Sequence, residues 1–171
     1  MAGLVVLGVD PGTRRLGWGI VARDGTRLRH VAHGVVRMQE SAPLADRLVA
    51  IERGLVEVLD THRVGAASVE GLFFHRDAQA AAKLGHARGV VLLVCARVGL
   101  AVHEYPPARV KLTVTGAGRA EKTQVAMMIR ALLGLPETPP ADAADALAIA
   151  VTHLQHSRLV PAVNTARRRA V

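Results

Sequence analysis

Leu4-Val5-Val6-Leu7-Gly8-Val9-Asp10-Pro11-Gly12-Thr13 is a short run of leucine and valine closed by a turn-forming tripeptide. Residues of that type at that length read as a buried strand, and Asp-Pro-Gly ends it. An acidic side chain therefore stands at the tip of an apolar strand. Outward from there, Leu16–Val21 reads as a second strand with a hairpin at Asp24-Gly25, and Arg27–Met38 alternates well enough to be a third. Pro43 begins a helix with Leu44, Leu48, Ile51, Leu55 and Leu59 at helical spacing. Val64–Val69 is another short buried strand, and Glu70 stands at its end. An alanine-rich helical pattern runs from Asp77 to Val98, and Leu100–Glu104 is a last strand. A loop holding Gly116 and Gly118 leads to a helix over Glu121–Leu133, and Pro136, Pro139 and Pro140 precede a final helix, Ala141–His156. Three hairpin-linked strands followed by strands alternating with helices predict an α/β protein, a mixed five-stranded sheet flanked by helices.

The length of 171 residues suits one domain with a core of its own. That domain is expected over residues 1–157. Residues 158–171, ending Arg167-Arg168-Arg169, form a basic tail expected to fray. Lys and Arg number 22 against 14 Asp and Glu, a formal charge of +8. That excess favours a polyanionic partner, nucleic acid or an anionic membrane surface, although solubility alone is the plainer reading. Cys95 is the only cysteine, which excludes an internal disulfide and a thiolate-rich zinc site, and its apolar surroundings read as core. The first strand runs into a turn instead of a cleavage site, and no apolar stretch is long enough for a bilayer. A soluble cytoplasmic protein is the expectation.

Four acids carry the chemistry. Asp10 and Glu70 end two apolar strands, so both emerge at one sheet edge if those strands are parallel neighbours. Asp142 and Asp145, three residues apart on a helix, share a face. Each has an ordinary structural reading as well. Asp-Pro-Gly is a common turn, an acid favours the positive end of a helix, and Glu70-Gly71 could simply end a strand. As a set they repel one another and cannot all ionise cheaply without a cation. Magnesium or manganese suits hard oxygen donors with no Cys or His cluster competing. Two such ions about 4 Å apart can activate a water and stabilise the leaving oxygen of a phosphodiester.

These residues also carry a resemblance. Gly8-Val9-Asp10-Pro11-Gly12-Thr13 resembles the opening motif of the RuvC Holliday-junction resolvases, and Val69-Glu70-Gly71-Leu72-Phe73-Phe74 looks like their second acidic motif. Ala82-Lys83-Leu84-Gly85-His86-Ala87-Arg88-Gly89 is similar to the helix that follows, and Ala141-Asp142-Ala143-Ala144-Asp145-Ala146-Leu147-Ala148 to the paired-aspartate helix. The likeness covers nearly the whole chain and fails in the C-terminal tail. It implies a ribonuclease-H-like fold and a homodimer that nicks two strands of four-way junction DNA symmetrically, in recombination and repair, using magnesium. It makes Asp10, Glu70, Asp142 and Asp145 the metal-binding catalytic residues. Lys111 and Lys122 fall where the family has basic residues near the scissile phosphate. Phe73 becomes the stacking wedge, with Phe74 beside it, and a branch-migration motor becomes the partner.

Arg76, Lys83 and Arg88 would otherwise be a solvated helix face, and next to the acidic edge they become candidate phosphate contacts. Gly85 and Gly89 permit close helix approach, either within the chain or across a twofold axis. His153 reads as a helix-surface histidine. Three rivals remain open. Asp-x-Gly-Thr also opens the phosphate site of actin-like ATPases, which need a second such domain. A junction binder that does not cut would lack an acid. A nuclease of the same fold could act on another nucleic-acid structure.

Overall fold

The structure, a computed structural model, describes residues 3–71 and 78–157. In chain order the elements are β1 (Leu4–Asp10), β2 (Arg15–Asp24), β3 (Arg27–Arg37), α1 (Leu44–Thr61), β4 (Ala66–Glu70), α2 (Ala78–Arg97), β5 (Val102–Tyr105), α3 (Pro107–Thr115), α4 (Lys122–Leu133) and α5 (Ala141–His156). The sheet order is β3-β2-β1-β4-β5. The first three strands pair antiparallel, and β4 and β5 join in parallel. Gly25, with φ at 58°, makes the tight β2–β3 turn, a conformation that side chains resist.

Successive side chains on a strand face opposite ways, and here each face has its own core. Leu7, Val9, Ile20, Ala67 and Val69 pack with Ile51, Leu55 and Val91 of α1 and α2. Val6, Val21 and Ala66 pack with Val110, Ile129 and Leu147 of α3, α4 and α5. The result is three layers with the sheet in the middle. Helix α5 is buried nearly all round, which explains why its sequence is apolar without a polar stripe. Its backbone lies against β1, where a Cβ on Gly8 would stand 2.0 Å from the Ala146 carbonyl oxygen.

One segment departs from the sequence reading. The stretch after Tyr105, to which the sequence reading assigns no element before the Gly116–Gly118 loop, contains helix α3. Val110, Thr113, Val114 and Thr115 are poor helix formers, and two prolines precede them. Pro107 nevertheless sits at the start of the helix, where a missing N–H costs nothing, and Gly116 closes it at φ 77°. Gly85 and Gly89 are also settled with respect to the chain itself. A Cβ on either would meet nothing within 4 Å among the described residues, so close packing against those residues does not require them.

Candidate active site

Val9 registers with Val69 in the parallel β1–β4 pair, so Asp10 and Glu70 follow one another out of the same sheet edge. The Gly71 N–H donates to the Tyr105 carbonyl at 2.9 Å, which continues the ladder past Glu70 and fixes its backbone. Asp145 of α5, Lys111 of α3 and Lys122 of α4 close over that edge. Together with Asp10 and Glu70 they line a recess of about 270 Å³ whose apolar wall includes Leu84, Val110, Val125 and Ile149. Lys122 Nζ donates to Asp145 Oδ2 at 3.2 Å. Asp142 does not line that recess but a separate one, with Gly12, Thr13, Arg14, Arg15 and Glu40, and Arg15 Nη1 stands 3.9 Å from its Oδ2.

The electrostatics follow from this crowding. The Asp10 carboxyl is pushed up to about 8, chiefly by burial and then by the negative charges of Glu70 and Asp145. Lys122 pulls it the other way, and Asp142 adds a smaller upward push. Lys122 is held above the ordinary lysine range, mainly by Asp145. Among the described residues no three His, Cys, Asp or Glu side chains converge into a ready-made metal cage. Like charges keep one another apart until a cation neutralises them. A carboxyl pushed up by burial and by its acidic neighbours, all hard oxygen donors, fits a divalent ion such as magnesium or manganese. Asp10, Glu70, Asp145 and Asp142 would hold it. Such an ion supplies Lewis-acid stabilisation of charge on phosphodiester oxygens.

The structure brings Lys111 and Lys122 to the carboxylates, as the sequence led one to expect. Lys83 is exposed and borders a second, basic recess nearby. Arg88 is a correction: its side chain is only 11% exposed and pairs with Glu104 of β5, so it ties α2 to the sheet instead of lying open to phosphate. His153 is a second correction. It is buried at 5% exposure, and its Nδ1 lies 2.9 Å from the Tyr105 hydroxyl. Helix α5 is covered there by β5, which a single helical pattern cannot reveal. Phe73, Phe74 and Arg76 lie outside the described residues. Cys95 is core, its thiol raised to about 11 by burial. Arg15 and Arg47 were not singled out from the sequence. The signal was present for Arg15, the second of two arginines that directly follow the Asp-Pro-Gly-Thr turn.

A three-layer α/β domain of this strand order, with carboxylates on two parallel strand ends and a covering helix and cations around them, is a metal-dependent nuclease of ribonuclease-H-like fold. The sequence profile described as "Crossover junction endodeoxyribonuclease RuvC" matches residues 6–153. A relative of that name from Sorangium cellulosum is 59% identical over 149 residues, covering 87% of this chain and 83% of its own. One from Rhodopseudomonas palustris is 54% identical over 151 residues, covering 88% and 87%. The structure of T. thermophilus RuvC in complex with a Holliday junction substrate superposes with a TM-score of 0.85 at 41% identity, covering 91% of this chain and 96% of that one. The yeast mitochondrial resolvase Ydc2, at 13% identity and a TM-score of 0.60, shares the fold alone. The chain belongs to the RuvC family of crossover junction endodeoxyribonucleases, and its activity is Holliday-junction resolution.

Proposed function

We propose that two copies of this chain bind one four-way junction and each hydrolyses one phosphodiester, giving paired symmetric nicks, with magnesium as the working ion and manganese as a substitute. The observation that carries this reading is the meeting of Asp10, Glu70 and Asp145 with Lys111 and Lys122 in one recess at the sheet edge, where the neighbouring negative charges push the Asp10 carboxyl up. Lys111 and Lys122 present ammonium groups at the recess and stabilise the negative charge that builds as water adds to phosphorus and a P–O bond breaks.

Lys83 and Arg76 belong to the outer phosphate contacts. Phe73 is assigned as the stacking wedge, with Phe74 adjacent. The open α2 face supports the homodimer, since Gly85 and Gly89 have clear space above them and Leu93 is 51% exposed. We further assign a branch-migration motor as partner and a cytoplasmic location, by analogy with the family. Among the described residues no helix is long and apolar enough to cross a membrane.

Incubation of the purified protein with a synthetic four-way junction and magnesium tests the reading, with paired symmetric nicks as the expected product. Asp10→Asn should bind the junction and leave it uncut. Nicking by that variant at the wild-type rate would remove Asp10 from the metal site.

A further inference from the structure

Beside the carboxylate recess lies a second recess of about 390 Å³, lined by Thr13, Arg14, Glu40, Arg47, Gln79 and Lys83. Leu84 borders both, so one side chain separates them. We propose that this second recess is a phosphate-binding pocket, formed by Arg14, Arg47 and Lys83, which holds a non-scissile phosphate of the strand being cut. The inference rests on the junction-cutting reading above and names a site that the carboxylates and the two recess lysines do not include.

The charge balance points to an anion. Three cations line the recess against one carboxylate, Glu40, whose contact with Arg14 is 3.6 Å long between two largely exposed side chains. A pair of that kind contributes little and exchanges readily. Arg47 and Lys83 belong to no ion pair among the described residues. The first turn of α2, with Gln79 and Ala80, faces the same space, and the dipole of that twenty-residue helix adds positive potential there.

Arg47 is the built part of the pocket. Its Nη1 donates to the Thr13 carbonyl at 3.1 Å, while its Nε is buried with no hydrogen-bond partner among the described residues. Arg47 also lines the recess, so an anion there would accept a charge-assisted hydrogen bond from a guanidinium already held in place by Thr13. Thr13 belongs to the turn that directly follows Asp10, so a phosphate on Arg47 would also steady the peptide that carries the catalytic carboxylate. Lys111 and Lys122 lie in the carboxylate recess itself, and Arg14, Arg47 and Lys83 lie beyond Leu84. Consecutive phosphates of one strand could therefore occupy both recesses.

The test uses junctions carrying a single neutral methylphosphonate at each position flanking the cut, assayed in single turnover with wild type, Arg47→Met and Lys83→Met. For the wild type, one flanking position should slow cutting about tenfold or more when neutralised. Arg47→Met should cut the unmodified junction more slowly by a similar factor and show no further loss at that one position. Its junction affinity should also fall less steeply with salt, by about one unit in the log–log slope. If Arg47→Met fails to fold by circular dichroism, Lys83→Met, altered at an exposed side chain, must show the same position-specific insensitivity. The proposal is overturned if both folded variants lose rate at every methylphosphonate position just as wild type does, since Arg47 then only braces the Thr13 turn. Failure of the wild type to cut any junction would instead overturn the junction reading.

Discussion

Gly17 of β2 and Asp142 of α5 touch backbone to backbone: a Cβ built on Gly17 would lie 1.9 Å from the Asp142 carbonyl oxygen and 2.3 Å from its carbonyl carbon. Gly17 is also the register partner of Asp10 across the β1–β2 pair. One glycine thus sets the separation between the strand that carries Asp10 and the helix that carries Asp142 and Asp145, three of the four carboxylates proposed to hold the metal.

Gly17→Ala should therefore damage fold and site together. Main-chain atoms cannot step aside as a flexible side chain can, so the added methyl must push the start of α5 off the sheet. We expect a loss of about 3 kcal/mol or more in urea unfolding, with cleavage lost even in the fraction that folds. An unchanged unfolding midpoint would show that β2 and α5 are free to separate.

Asp10 gives the metal-free protein a defined pH dependence. Its carboxyl is raised from 3.8 to about 8, so between those values the folded chain holds a proton that the unfolded chain has released. Its stabilising contribution is complete below pH 3.8 and is lost as pH rises through 8. In chelator, Asp10→Asn should melt above wild type by a margin that widens from pH 5 to pH 9. The magnesium concentration needed to stabilise wild type should fall with pH and level off above about 8, where no proton remains to be displaced. A margin that stays constant across that range would contradict a protonated Asp10.

His153 acts with the opposite sign. Burial, and then the nearby His103, Arg23 and His156, push it from 6.5 down to about 4. Between those values the unfolded chain takes up a proton that the folded chain refuses, so this contribution is present above pH 6.5 and is lost as pH falls toward 4. His153→Gln should lower stability at pH 7 by removing the contact with Tyr105. Its difference from wild type should shrink as the solution is acidified. A difference that does not change with pH would place the acid sensitivity elsewhere.

Leu93→Asp tests the dimer face. The side chain is half exposed in the single chain, so the fold should change by no more than about 0.5 kcal/mol. Light scattering should report a monomer, and junctions should be nicked on single strands without symmetric pairing. A dimer of wild-type size with paired nicks would move the interface away from this face.

The sequence revealed what repeats at a fixed interval or stands out chemically. Asp10 and Glu70 were visible because acids at the ends of apolar strands are costly, and the aspartate pair because it recurs on one helical face. Five strands and four of the five helices followed from periodicity and turns. Helix α3 escaped because its valines and threonines are poor helix formers, although Pro107 and Gly116 bracketed it. Arg88 and His153 were misread for a different reason. Each lies in a helical pattern, and what covers it is a side chain of β5, a contact that no periodicity within the helix reports. The part played by Gly17 is of the same kind, since nothing in β2 announces that a helix more than a hundred residues later rests on it.

Helix α5 has eleven of its sixteen residues buried, Asp142 and Asp145 being two of the few that are not. In a library of random variants this helix will behave as two populations. Changes at Ala143, Ala146, Leu147 or Ala150 will be lost at the level of soluble expression, before activity can be scored. A screen for soluble, nuclease-dead protein will therefore recover this helix almost wholly at its two aspartates. The same constraint bears on redesign: a new specificity must be sought in the loops and basic recesses around α5, because the helix has almost no neutral positions from which to drift.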